Sequence, residues 1–235
     1  MSLDLSFLSP SSLLWLGVTL LVYFTAIALF KRLGRNPLFH PLIFCLLLLW
    51  AILELCELPI REYQAQVNLL HWLLGPATVA LAIPLFGQLQ AIKKAGSQIL
   101  LPIIIGGVLA PLIAIGWVYA EPLALSIKLS LLTKSITTPL AMDTANYIGG
   151  VPELAAVIVI FTGIAGAVMC GGLFKLFSIE NEQAKGIALG TVAHAIGTAQ
   201  AFQISQKTGA FATLALCING VLTAIILPLL FLWLG

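Results

Sequence analysis

Eight apolar runs, near 13–33, 39–58, 67–90, 98–120, 123–148, 152–176, 183–205 and 208–234, occupy almost the whole of this chain. Each is close to the ~20 residues an α-helix needs to cross a hydrocarbon layer about 30 Å thick. Backbone groups in lipid must be satisfied internally, so long apolar runs with internal glycine and proline read as helices. The breaks between runs are short and hold most of the charge: KRLGRNP, ELPIREYQ, QAIKKAGS, AEP, GGVPE, FSIENEQAK and QISQKTG. With 60% hydrophobic residues, 9% charged residues and a mean hydropathy of +1.09, the composition lies far outside soluble usage. The chain reads as an all-α polytopic membrane protein, one membrane domain over residues 1–235.

The formal charge of +2 is dispersed, with no basic stripe for nucleic acid. Lipid, a small solute and other membrane chains are the partners this leaves, a homo-oligomer among them. Cys45, Cys56, Cys170 and Cys217 lie in or at the ends of apolar runs without metal-ligand spacing, and read as buried thiols rather than a disulfide framework or zinc site. No cofactor is expected. The first run is long enough to span, and KRLGR follows it, so it is expected to be a membrane segment rather than a cleaved signal. Positive-inside bias then puts Lys31, Arg32 and Arg35 in the cytoplasm and the N-terminus outside.

A gapless offset of 113 relates TVALAIPLFGQLQAIKKAG at Thr78 to TVAHAIGTAQAFQISQKTG at Thr191. It pairs Gln90 with Gln203, Lys94 with Lys207, Gly96 with Gly209 and Gly107 with Gly220. Extended over the chain, it predicts two homologous repeats, about 13–120 and 123–234, an organisation that secondary transporters use to set a site at the repeat interface. We expect the repeats to be inverted, by analogy with such transporters. Four full crossings per repeat would make them parallel, so inversion requires a discontinuous or re-entrant segment.

Two matched stretches carry interruption signals. Leu73 to Phe86 has a proline near each end, Pro76 and Pro84, with Thr78 between them; Gly186 to Gln203 has three glycines and a histidine. A broken helix frees amides at its new N-terminus, and these attract carboxylates. The glycines have a plainer reading: Gly186 and Gly190 form a GxxxG packing contact. Gly197 and Thr198 crowd the same short region as His194, and helix spacing would put His194 and Gly190 on one face. His194 is the histidine set deepest in an apolar run. It either donates to a carbonyl across a helix contact, or serves function by hydrogen-bonding a carboxylate or by taking up the transported proton.

The run KSITTPLAM, Lys134 to Met142, bends or breaks at Pro139, which lacks an amide hydrogen and disfavours helix at Thr138. The hydroxyls of Ser135, Thr137 and Thr138 are then available to the freed carbonyls. Lys134 has two readings. Near a helix end it snorkels to the headgroups, as Lys128 would. At mid-depth its ammonium needs an anion, either Asp143 or Glu153 or a substrate. His194, Asp143 and Glu153 are the titratable candidates for proton coupling. The absence of GxSxG, HExxH and nucleotide-binding motifs argues against an enzyme and against direct ATP drive.

RNPLFHP, GPATVALAIPL, KSITTPLAM, GGVPELAAVIVIFTGIAGAV and GTVAHAIGTAQAF together resemble the LrgB/CidB family over essentially the whole chain. The resemblance implies a bacterial inner-membrane protein, often encoded beside a small LrgA/CidA-like membrane protein that would be its partner. It also implies one of two activities. Relatives in plastids carry glycolate and glycerate, and bacterial ones have been linked to pyruvate, which makes a small monocarboxylate anion the expected solute. Other members are described as holin-like or antiholin-like regulators of murein hydrolase export and autolysis. Carried onto this sequence, the functional segments are Pro76 and Thr78, Lys134 through Pro139, and His194 through Thr198.

Overall fold

The computed structural model describes residues 9–34, 39, 41–73, 76, 79, 86, 90, 93 and 96–234. The chain divides into two compact units, 1–77 and 78–235, and each is described by itself. All regular structure among the described residues is helical.

In the first unit, α1 (Pro10–Arg32) starts at Ser9, whose hydroxyl accepts from the Ser12 amide at 3.1 Å, with Pro10 supplying a preset φ at the first helical position. Lys31 and Arg32 end it, cations against the negative end of the helix dipole. Then come α2 (Pro41–Leu55), α3 (Ile60–Gln66), bent from α2 by 110°, and α4 (Asn68–Trp72). Polar side chains tie α3 to α1: Ser12 Oγ donates to Gln66 Oε1 at 2.9 Å, and Thr19 Oγ1 lies 2.8 Å from the Tyr63 hydroxyl, with Trp15 edge-on to the Tyr63 ring.

The second unit contains α5 (Ser97–Val118), α6 (Leu125–Ser130) with a 3-10 turn (Leu131–Thr133), α7 (Thr138–Tyr147), α8 (Pro152–Leu176), α9 (Glu182–Ile204) and α10 (Gln206–Leu234). Of the described helices, α1, α5, α8 and α10 are long and apolar enough to cross a membrane, and α2 with α3 is apolar enough to form a broken span or a re-entrant loop. An all-helical multi-pass architecture of this kind is that of bacterial inner-membrane proteins, in which helices alone satisfy the backbone in lipid.

The spans α5 and α10 run in the same direction. Ile99 and Ile103 pack with Leu214, Ala215 and Ile218 near their N-terminal ends, and Ile115 of α5 and Leu227 and Phe231 of α10, near their C-terminal ends, pack against one cluster of Leu129, Leu132 and Ile148. We call these ends the first and second faces. The span α8 runs the opposite way. Its leading residue Val151 donates its amide to Ser130 Oγ at 2.8 Å on the second-face side, whereas Cys170 and Phe174 pack with Ala212 on the first-face side.

The segments 125–147 and 182–204 are helical hairpins rather than crossings. In the first, the α6 arm and the α7 arm meet again at the second face: Gly150 abuts Ser130, and Leu129, Leu132 and Ile148 share a cluster with Leu227 and Phe231. In the second, the helix is broken at His194 (φ 40°, ψ −126°) and turns back, so that Gly197 lies against the carbonyl of Leu189. Eight residues of straight helix would separate them by about 12 Å. Both ends return to the first face, where Glu182 pairs with Lys207, 3.8 Å apart, at the start of α10. Each arm is about ten residues, roughly 15 Å, half of the hydrocarbon thickness. The unit therefore has three crossings with two hairpins inserted from opposite faces. The 23-residue α1 is unbroken, although the offset of 113 sets it against the hairpin 125–147.

Candidate functional site

The two hairpin tips meet at mid-depth, and one side chain joins them. Asn219 is the fourteenth of the 29 residues of α10 and is buried. Its Nδ2 donates to the Ser135 carbonyl at 2.8 Å and to the Thr191 carbonyl at 3.1 Å. Both acceptors have lost their helical partners because the backbone is interrupted nearby, at 134–137 in one hairpin and at His194 in the other. Unsatisfied carbonyls in an apolar interior are costly, and one amide with two N–H bonds satisfies both. Gly107, the eleventh of the 22 residues of α5, lets Asn219 in: a Cβ there would collide with Asn219 Oδ1.

The second tip is a strained single-residue turn. The φ and ψ of His194 are those of the first central position of a type II′ turn, where glycine is usual, at a cost of about 1–3 kcal/mol for a larger residue. Three contacts hold it. The Thr198 hydroxyl donates to the His194 carbonyl at 2.8 Å; His194 Nε2 donates to the Val159 carbonyl of α8 at 2.9 Å; and Gly163 leaves room for the ring, since a Cβ would come within 2.7 Å of His194 Cε1. A carbonyl can only accept, so Nε2 carries the hydrogen. His194 thus donates to a carbonyl across a helix contact, and the break means that Gly190 and Gly197 no longer share a continuous helix face with it. Gly186 and Gly190 pack directly on the α10 backbone, against the carbonyls of Thr208 and Ala212.

The first tip carries the charge. Thr137 sits at the N-cap of α7 with extended geometry, Thr138 and Pro139 open the helix, and the Thr137 side chain makes no capping bond. Its hydroxyl is buried without a partner, as is that of Thr191 at the other tip. Lys134 is half-buried beside them, its ammonium 3.5 Å from the Ser135 hydroxyl, and next in sequence to the carbonyl that Asn219 holds at mid-span. Its backbone is thus level with the middle of α10. Asp143 and Glu153 are exposed, and among the described residues the ion pair formed is Glu182 with Lys207, so neither carboxylate neutralises Lys134. The freed Ser135 carbonyl is met by Asn219 and not by the neighbouring hydroxyls. Pro76 is helical and exposed in the first unit; Thr78 and most of the Leu73 to Phe86 stretch lie outside the described residues. Of the cysteines, Cys170 and Cys217 are buried, Cys45 is half-buried, and Cys56 is exposed rather than buried.

Asn219, which joins the two tips, was not singled out by the sequence pattern. The available signal was an amide at the centre of a largely apolar 29-residue helix, a placement lipid does not tolerate without partners. Gly107 and Gly163 were legible as small residues but not as seats for particular side chains. No group of three metal-capable side chains occurs among the described residues.

Residues 19–233 match the LrgB-like family. The chain belongs to that family. Relatives include the uncharacterized protein YwbG of Bacillus subtilis, 35% identical over 92% of this chain and 95% of that protein. The antiholin-like protein LrgB of Bacillus cereus strain B4264 is 30% identical over 93% of this chain and 95% of its own, and the antiholin-like protein LrgB of Bacillus anthracis has the same identity and coverage. No solved structure matches. The groups gathered at the two tips are one ammonium, one imidazole, amides and hydroxyls.

Proposed function

We propose that this LrgB-like protein is a secondary transporter of small monocarboxylate anions, of the glycolate, glycerate, lactate or pyruvate type, that bind between the two hairpin tips. The observation that carries the reading is the Lys134 ammonium, half-buried near mid-span without a carboxylate partner among the described residues. A cation at that depth is expensive unless an anion joins it, and a single ammonium matches a single carboxylate. The uncapped N-terminus of α7 and the unpartnered Thr137 hydroxyl add hydrogen-bond donors beside it. Ser135, Thr138, Pro139, Gly197 and Thr198 shape the tips around this seat. His194 orients the second tip through Val159, and Asp143 and Glu153, both exposed, remain the carboxylates available for proton coupling. Inverted organisation of the membrane domain belongs to this reading, because opposed hairpins give each side of the membrane its own gate.

A second reading has its own support. Several relatives are named antiholin-like, which favours regulation of murein hydrolase export, exerted alone or with a small LrgA/CidA-like membrane protein. Uptake of labelled glycolate, glycerate, lactate and pyruvate into proteoliposomes holding the purified chain alone separates the two. Saturable uptake under an imposed pH or sodium gradient supports the carrier. Absence of uptake across the panel, restored by no gradient and by no co-reconstituted small partner, puts the regulator first.

A further inference from the structure

A cavity of about 820 Å³ opens between α5 and the first arm of the hairpin 182–204. Gln98, Asn181 and Gln183, at the starts of α5 and α9, line its first-face end, and Ala188 lines the wall. Its inner end reaches Gly106 and Thr191, beside the Asn219 junction, where the Thr191 hydroxyl is buried and unpartnered. The cavity therefore spans from one membrane face to the meeting point of the tips.

The charges of this unit identify the face. Lys175, Lys185 and Lys207 lie at the first-face ends of α8, α9 and α10, and Lys93 and Lys94 precede α5 in the sequence; Glu180 and Glu182 are the acids there. On the second-face side, Lys128 in α6 stands against Glu121, Asp143 within α7 and Glu153 at the start of α8. An excess of lysine marks the cytoplasmic side, so the cavity opens to the cytoplasm.

The two hairpins also align with each other. At a constant offset of 60, without a gap, Ile127 pairs with Ile187, Leu129 with Leu189, Ile136 with Ile196, Thr138 with Thr198 and Ala141 with Ala201. The same offset puts the two basic tip residues, Lys134 and His194, in register. Each hairpin follows a span, α5 before one and α8 before the other, and these spans run in opposite directions. Span plus hairpin is thus a unit that occurs twice with opposite sense. The counterparts of Ala188 and Thr191 are Lys128 and Leu131, and that arm is shut: Leu129 and Leu132 pack with Leu227 and Phe231, and Lys128 Nζ donates to the Tyr119 carbonyl at 3.0 Å. A groove of about 330 Å³ on that side, between α5 and α10, is lined by residues such as Leu112, Leu132, Ile226 and Phe231 and offers an anion no charge.

We infer that the 820 Å³ cavity is the cytoplasmic vestibule of a two-gate path, with the hairpin 182–204 as its open inner gate and the hairpin 125–147 as the inverted, closed outer gate. This rests on the transport reading for its purpose, but the test reads access and not uptake. In a Cys45→Ser, Cys56→Ser background, Ala188→Cys and Leu131→Cys are each exposed to a membrane-impermeant methanethiosulfonate from one side of oriented vesicles. The Ala188→Cys thiol reacts from the cytoplasmic side and is protected by saturating glycolate. The Leu131→Cys thiol reacts from the external side, and prior attachment of a bulky reagent at Ala188→Cys, in the double variant, slows it about tenfold by holding the inner gate open. Reaction of the Ala188→Cys thiol from the external side overturns the inference, as does reaction from neither side when the detergent-unfolded protein labels fully. Labelling of both sites with no effect of one on the other overturns the two-gate assignment. Expected sidedness without uptake would leave the inference standing and sink the carrier reading.

Discussion

The two hairpins solve the same problem with different chemistry. Both must turn a helix back at mid-depth and satisfy the carbonyls freed there. The hairpin 125–147 does so over four non-helical residues, 134–137, followed by Pro139 in the first turn of α7, and its returning arm packs Ala141 and Ala145 against Ala155 and Val159 of α8. The hairpin 182–204 turns at one residue, His194, in a conformation glycine would prefer, with Gly186, Gly190 and Gly197 letting backbones touch. The first tip spends its space on polar groups and a charge, the second on closeness. Asn219 bonds to a carbonyl in each tip.

The largest effect is expected where closeness is most demanding. Gly190→Val drives a side chain into the Ala212 carbonyl and should cost about 3 kcal/mol, seen as loss of monodisperse protein in detergent. Gly171→Val, where nothing lies within 4 Å, should leave stability nearly unchanged. Equal behaviour of the two would mean that the α9 packing is not what the structure describes.

Asn219→Leu removes both clips and leaves the Ser135 and Thr191 carbonyls without donors. A loss of about 2 kcal/mol is expected in chemical or thermal unfolding. A double-mutant cycle with Gly107→Ala, which pushes on the same amide, should show strong non-additivity. Additive losses would break the junction.

His194 sharpens the contrast between the tips, because its backbone and its ring can be tested apart. His194→Gly relieves the positive φ while losing the bond to Val159, and His194→Ala loses the bond and keeps the strain. The glycine variant should be the more stable by about 1 kcal/mol. The reverse order would contradict a II′ turn at this tip. The smallest effect belongs to Glu182→Gln: its pair with Lys207 is solvent-exposed, and stability should change by less than about 0.5 kcal/mol.

Much of this architecture was legible in the sequence. Apolar run length and composition read out the helices, and Pro139 announced the interruption after Lys134. The His194 break has no proline. Its signal was a cluster of glycines that plain helix packing also explains, and packing is indeed what Gly186 and Gly190 do. Run length alone could not separate a crossing from a hairpin, since 23 apolar residues are enough for either. Tertiary contacts distinguish them, among them Val151 with Ser130, Gly197 with Leu189, and Lys207 with Glu182. The role of Asn219 depends on carbonyls 84 and 28 residues away, a relation no local pattern carries.

The central claim is that the Lys134 ammonium awaits a carboxylate between the tips. It is tested most directly by the thermal stability of the purified protein with and without saturating glycolate, for wild type, Lys134→Arg and Lys134→Gln. Ligand that binds only the folded state raises the melting temperature, by an amount equivalent to about 2.7 kcal/mol at a hundredfold excess over Kd. The account predicts this rise in wild type, a reduced rise in Lys134→Arg and none in Lys134→Gln. An equal rise in Lys134→Gln would contradict it.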